Sequence, residues 1–275
     1  MITGNPFAEL SANIPTYAMQ AYVVAMVILV IVGTVLDMMH KKSAQYFFEN
    51  AEKAKAAATR TVSGGEKASL AIKTVASEII TSSEFANPIR RISHLLSMYG
   101  FITFVVTTAI LIFASAPPSI VAVLWHIGAL MLCIGGYWFW FAIRVDLASE
   151  GKRWYKVDRA DMFILSLLST ATFALIWSAT QGSTIGWLAF CLFILSSTIL
   201  FGGVFWSKFA HMFFKPAAAF QKRITRADGS RENLPADFDL SDPAVHAKYP
   251  DIPQYMGKNP PNMGLGIKRE SPHHY

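Results

Sequence analysis

The chain has 275 residues, 53% of them hydrophobic and only 15% charged. A soluble domain of this length carries about a quarter charged residues, so the composition excludes an ordinary water-soluble fold and points to a membrane protein. The net charge of +6 follows from basic flanks beside apolar stretches and from anionic lipid at an inner leaflet, with no need of nucleic acid.

Five stretches suffice to cross a hydrocarbon core about 30 Å thick, which takes roughly 20 helical residues. They run near Ala18–Leu36, Leu95–Ala114, Ile120–Ile143, Met162–Thr180 and Trp187–Phe205. The second and fifth are expected to continue as helix through His94 and towards Phe214. Residues 1–40 hold the first of them. It ends in Asp37-Met38-Met39-His40-Lys41-Lys42 where a cleaved leader would have small residues, so it reads as an anchor. All 24 Lys and Arg fall within residues 41–91, 144–159 and 208–269, and none near Pro117-Pro118 or Gln181-Gly182-Ser183. The positive-inside rule then predicts an all-α membrane protein of five transmembrane helices, N-terminus outside and C-terminus cytoplasmic. An inner (cytoplasmic) membrane, multi-pass location follows.

Residues 41–91 form an amphipathic cytoplasmic loop in this scheme. Ser43–Thr59 suits a helix, Ser63-Gly64-Gly65 breaks it, and Lys67–Ile80 resumes with Leu70, Val75 and Ile79 as an apolar stripe. Asn87-Pro88 resets the chain into the second crossing. The loop lies on lipid headgroups or docks a soluble partner. Residues 92–216 make a four-helix membrane domain. Residues 217–275 form a cytoplasmic tail, helical to about Arg226. Pro235, Pro243, Pro250, Pro253, Pro260, Pro261 and Pro272 then leave it unable to bury a core. It is either an extended arm on another protein or a disordered tail.

Cys133 and Cys191 each lie inside an apolar segment, where small hydrophobic packing is the ordinary role and a disulfide the alternative. An ordinary iron–sulfur cluster needs four ligands, so any such cluster belongs to a partner.

Depth sorts the seven histidines. His94 opens the second crossing and His211 closes the fifth, so both lie at the inner end. Two imidazoles facing each other from different helices clamp one haem iron axially. Alternatively both are interfacial residues bonded to headgroups or carbonyls. A second haem would need histidines about ten residues deeper at 1.5 Å per residue. Phe101–Val106 and Phe190–Leu200 hold none. His126 and Trp125 lie near the outer face, either as interfacial residues or as a quinone contact. His40 is interfacial. Gly100, Gly135-Gly136 and Gly202-Gly203 serve close helix packing or the approach of a porphyrin or quinone.

His94-Leu95-Leu96-Ser97-Met98-Tyr99-Gly100-Phe101 resembles the second helix of cytochrome b proteins related to the respiratory nitrate reductase gamma chain. Ser207-Lys208-Phe209-Ala210-His211-Met212-Phe213 is similar to the end of the fifth helix in that group, especially in the membrane domain of the quinone-interacting oxidoreductase complex. Leu124-Trp125-His126-Ile127-Gly128-Ala129-Leu130 with Ile134-Gly135-Gly136 is similar to its third helix. The membrane component of that complex carries an iron–sulfur domain ahead of its helices, and this chain departs from it in lacking one. It also has phenylalanine near the family's distal haem ligands, at Phe104 and Phe193. A membrane domain with only the inner pair resembles the membrane anchors of adenylylsulfate reductase.

The resemblance implies an electron-transfer anchor linking cytoplasmic flavin and iron–sulfur oxidoreductase subunits to the quinone pool. It implies one b haem held by His94 and His211, with quinone as substrate. The alternatives are a structural anchor without haem or quinone, and a transporter, against which the uncharged crossings and missing inverted repeat speak.

Overall fold

The computed structural model describes residues 3–41, 43–83, 85, 87–144, 154–231 and 242–251, the side chains of residues 41, 43, 44, 46 and 211 excepted. Most of the tail read as an extended arm, residues 232–241 and 252–275, lies outside the described residues. Among the described residues all regular structure is helical. In chain order it comprises α1 (Pro6–Leu10), α2 (Thr16–Lys41), α3 (Ser43–Ala54), α4 (Gly64–Thr74), α5 (Pro88–Phe113), α6 (Ser119–Trp138), α7 (Met162–Ala179), α8 (Thr184–Gly202), α9 (His211–Ala227) and α10 (Pro243–Lys248). Wider π turns follow α4 at Val75–Ile80 and α6 at Phe139–Ile143. The five helices built on α2, α5, α6, α7 and α8 are each long and apolar enough to cross a membrane. The protein is a multi-pass membrane protein.

Local chemistry sets where these helices begin. Asn87 Oδ1 accepts from the backbone N–H groups of Ile89 and Arg90, and Pro88 fills the first helical position, where no N–H is required. Ser183 caps α8 by accepting from Gly186 N at 3.0 Å. Gly182 before it takes a φ of 77°, a conformation open mainly to glycine.

The membrane helices close into a ring. α5 packs on α6, α6 on α7, α7 on α8, and α2 completes the circle against α8 and α5. The α5–α6 contact is built on glycine. A Cβ on Gly100 would stand 2.8 Å from Leu132 N, and one on Gly128 2.8 Å from Phe104 N. Backbones therefore touch where any side chain would hold them apart, which is how membrane helices gain dispersion contacts in a solvent as apolar as themselves. Gly135 meets Ser93, Leu96 and Ser97 of α5, and Gly136 meets Leu168 of α7. These glycines serve helix packing rather than porphyrin approach.

Side chains from four of these helices and from α1 fill the interior. Phe7, Phe104, Trp125, Trp177, Phe190 and Phe193 form a continuous aromatic cluster towards the N-terminal end. Asn5 Nδ2 donates to Leu111 O at 3.0 Å and Gln181 Nε2 to Pro6 O at 2.7 Å, which seats α1 across that end. At the opposite end His40 meets Phe205 and Arg144 pairs with Asp161, so the termini that carry Lys and Arg gather at one face.

That basic end carries a second layer. α3, α4, the π turn 75–80 and α9 pack on one another, burying Ala51, Ala54, Val62 and Ile224. Asp228 O accepts from Thr59 N at 2.9 Å and Arg60 N at 3.2 Å. Arg223 donates to Ser77 Oγ at 2.6 Å and Glu78 Oε1 at 3.0 Å. The amphipathic loop thus packs partly on a helix of the same chain, with Leu70 and Ile79 half-buried and Val75 left exposed.

Two expectations are corrected. The fifth crossing does not run on as helix to Phe214. α8 stops at Gly202, residues 203–210 form turns, and α9 starts afresh at His211. Trp206 N and Ser207 N fold back to Gly203 O, and Ser207 Oγ accepts from Phe209 N, a side-chain competitor for the helical bond. Cys191 is not a packing residue in the interior. It is a free thiol on the exposed side of α8, while Cys133 is half-buried near Thr172.

Candidate functional site

His94 lies in the second turn of α5, in register because the Asn87-Pro88 cap fixes the helix start. The chain just before the cap folds back along α5. Ile80 O accepts from Tyr99 OH at 2.7 Å, Thr81 O accepts from Arg91 Nε at 2.7 Å, and Ser82 Oγ shares a 3.1 Å hydrogen bond with His94 Nδ1. Ser82 is fully buried with a φ of 45°, a left-handed conformation costing roughly 1–2 kcal/mol for an L-residue with a side chain. The three side-chain bonds offset that cost and hold the turn. The Phe85 ring lies 4.9 Å from the imidazole.

The same aromatic ring reaches the second histidine-bearing element. Lys215 Nζ sits 5.6 Å from the Phe85 centroid, one turn along α9 from His211. Phe85 thus lies between the His94 ring and the Lys215 ammonium of α9. The His211 side chain lies outside the described residues. Beneath them Phe209, 2% exposed, fills the space between α5, α7 and α8, with its ring 6.3 Å from Phe101, 5.6 Å from Phe163 and 6.0 Å from Phe201.

At the deeper level the positions that resemble distal haem ligands hold Phe104 and Phe193, whose rings meet across the bundle at 6.4 Å. Trp177 stacks on Phe193 at 5.8 Å and Trp125 lies 5.2 Å from Phe104. Aromatic rings therefore fill the bundle at that level. At the basic end His94 is the residue that would hold a haem, with Ser82 bonded to its Nδ1. A hydrogen bond of this kind is how an outer partner orients a ligating imidazole.

His126 is not an interfacial residue. It is buried between α6 and α7, with Nδ1 donating to Ala122 O at 2.7 Å and Nε2 2.7 Å from Ser178 Oγ. The Nε2–Ser178 bond ties α6 to α7. Trp125 is fully buried and its Nε1–H donates to Thr108 Oγ1 at 2.8 Å. Both residues spend their polar groups on joining helices, so neither offers a hydrogen bond to a quinone in this arrangement. His40 is exposed, its ring 5.3 Å from Phe205.

An ion pair closes the basic end between α6 and α7. Arg144 Nε donates to Asp161 Oδ1 at 2.7 Å, a second nitrogen bonds Asp161 Oδ2, and the guanidinium lies 4.0 Å from the Trp140 centroid. The hydrogen bond to Asp161 raises the Arg144 pKa above its ordinary value.

Two features have no place in the site read from sequence. Ser82 and Phe85 are joined to His94 only by tertiary folding, which no local pattern signals. The stripe Lys215, Lys222 and Arg226, at i, i+7 and i+11 on α9, is open to detection from spacing alone.

No family model matches the chain, and no curated protein or solved structure is significantly similar to it.

Proposed function

We propose that this chain is the membrane anchor of a redox complex. It presents its basic end to a cytoplasmic flavin and iron–sulfur enzyme, adenylylsulfate reductase by the resemblance of its motifs, and connects that enzyme with the quinone pool of an inner membrane. The observation that supports this best is the helical layer of α3, α4 and α9, held together by the Arg223–Glu78 pair and the Asp228 backbone bonds and fastened to α5 of the membrane ring by the bonds of Ile80 O with Tyr99 and Thr81 O with Arg91. A docked layer at one face suits a scaffold for a soluble partner. The aromatic filling of the ring suits an anchor better than a conduit for polar solutes. The sequence beyond Arg231 adds an arm without a core, which gains order only against another surface. Removing it should leave the chain folded in the membrane while lowering recovery of the soluble enzyme. Unchanged recovery would contradict the docking role.

A single b haem at the basic end is the second reading, favoured by the Ser82–His94 bond, which orients the imidazole. When bound, such a group supplies one-electron transfer between the soluble enzyme and quinone. The residues' own part is to orient: Ser82 fixes the ring of His94, and Phe85 packs its face. His94→Ala should abolish a low-spin b-type absorption spectrum of the purified chain while His126→Ala preserves it. A wild-type chain purified from native membranes without that spectrum would leave the structural anchor standing alone.

A further inference from the structure

We infer that the groove between α9 and the π turn 75–80 is a binding site for the phosphate diester of an anionic phospholipid. The groove encloses about 450 Å³ and is lined by Lys215, Lys222, Arg223, Arg226, Ala218, Ala219 and Glu78. Ala218 and Ala219 leave the space open, and the long basic side chains rim it. Glu78, its one carboxylate among the described residues, is already paired with Arg223 at 3.0 Å. Among those residues neither Lys222 nor Arg226 has an acidic partner. Lys222 and Arg226 stand one turn apart on the same helix face, a like-charge spacing that destabilises a helix unless an anion sits between.

Depth selects a lipid as the source of that anion. Ile80 O bonds the hydroxyl of Tyr99, and Tyr99 is about 16 Å along α5 from Pro88 at 1.5 Å per residue. The π turn therefore lies alongside the first part of a membrane-crossing helix, and Glu78 is two residues from that bond. Ile72, Val75 and Ile80 are exposed, as are Ile89 and Ile92 on the first turns of α5, a composition suited to acyl chains. Trp206 and Phe213, both exposed, flank Lys208 at this end, the aromatic and basic mixture of a lipid–water boundary. A basic pocket at that level matches an anionic headgroup, whose phosphate stays at the boundary while its chains remain in the bilayer. The inference does not rest on the redox reading.

Native mass spectrometry of the full chain, released from detergent with added phosphatidylglycerol, phosphatidylcholine or inorganic phosphate, tests it. The expected result is one retained phosphatidylglycerol, no retained phosphatidylcholine and no retained phosphate. The variant K215Q/K222Q/R226Q should lose the lipid with unchanged helicity by circular dichroism, and the charge-preserving K215R/K222R/R226K should keep it. K53Q/K67Q/K73Q, which removes equal charge from exposed positions of α3 and α4, should also keep it. Retention by the groove variant, equal loss in the α3–α4 variant, or binding of inorganic phosphate in place of lipid would each overturn the assignment. So would a groove variant that keeps its lipid and loses a co-purifying soluble protein.

Discussion

Gly128 shows how a single hydrogen atom governs the membrane ring. Its Cα faces Phe104 N and Gly100 O, and a Cβ there would fall 2.8 and 3.0 Å from those backbone atoms. Backbone in a helix cannot step aside as a flexible side chain does, so a larger residue must push α5 from α6. Gly128→Val should lower stability by about 1–3 kcal/mol, the range for overpacking a filled interior, read as a lower unfolding midpoint in detergent. Gly64→Val is the control, because a Cβ at Gly64 meets nothing within 4 Å. Trp125 makes a related point about sequence reading. Its place beside the outer boundary suits an aromatic belt, yet the ring is fully buried. Periodicity places a residue on a helix face; which face meets a neighbour depends on helix order around the ring, and one apolar helix carries no mark of that. The burial of His126 is hidden for the same reason, since its partner Ser178 is 52 residues away.

At the scale of elements, capping and breaking residues are legible in the sequence and changes of helical pitch are not. Asn87-Pro88 begins α5 where its side chains predict, because a cap is a local hydrogen-bond requirement, whereas the helix expected from Lys67 begins at Gly64 since Ser63 caps it by accepting from Glu66 N. The π turns at 75–80 and 139–143 have the composition of ordinary helix. The break after Gly202 is masked by an apolar run that continues through Phe205, although Gly202-Gly203 and Ser207 are its local signals. α4 also carries a pH-sensitive brace. Arg60 donates to both carboxylate oxygens of Glu66, at 3.0 and 2.6 Å, and this hydrogen bonding pulls the Glu66 pKa below the ordinary carboxylate value. A depressed carboxylate pKa contributes stability that is complete above the unfolded value and lost as pH falls through the folded one. Protease cleavage near residues 58–63 should therefore accelerate as pH drops below the usual carboxylate range. Glu66→Gln should flatten that response. An unchanged acid response in the variant would show that other groups control the segment.

For the whole molecule, five spans and the gathering of basic termini at one end are readable because lipid imposes long apolar helices and charge asymmetry leaves a sequence record. The second layer is only half readable: both of its amphipathic segments can be seen, but their mutual packing links residues such as Ser77 and Arg223, 146 positions apart. That layer gives the anchor proposal its physical content. A membrane ring filled by aromatic side chains, with a separate basic platform at one end, offers a place to hold a soluble enzyme. The measurement that tests this most directly is the flavin content of the full-length chain, tagged and purified from its native membrane in mild detergent. The account predicts stoichiometric flavin and iron–sulfur subunits, identified by mass and carrying adenylylsulfate reductase activity. Chain recovered at full yield from the same membranes with no flavin-containing partner would contradict it.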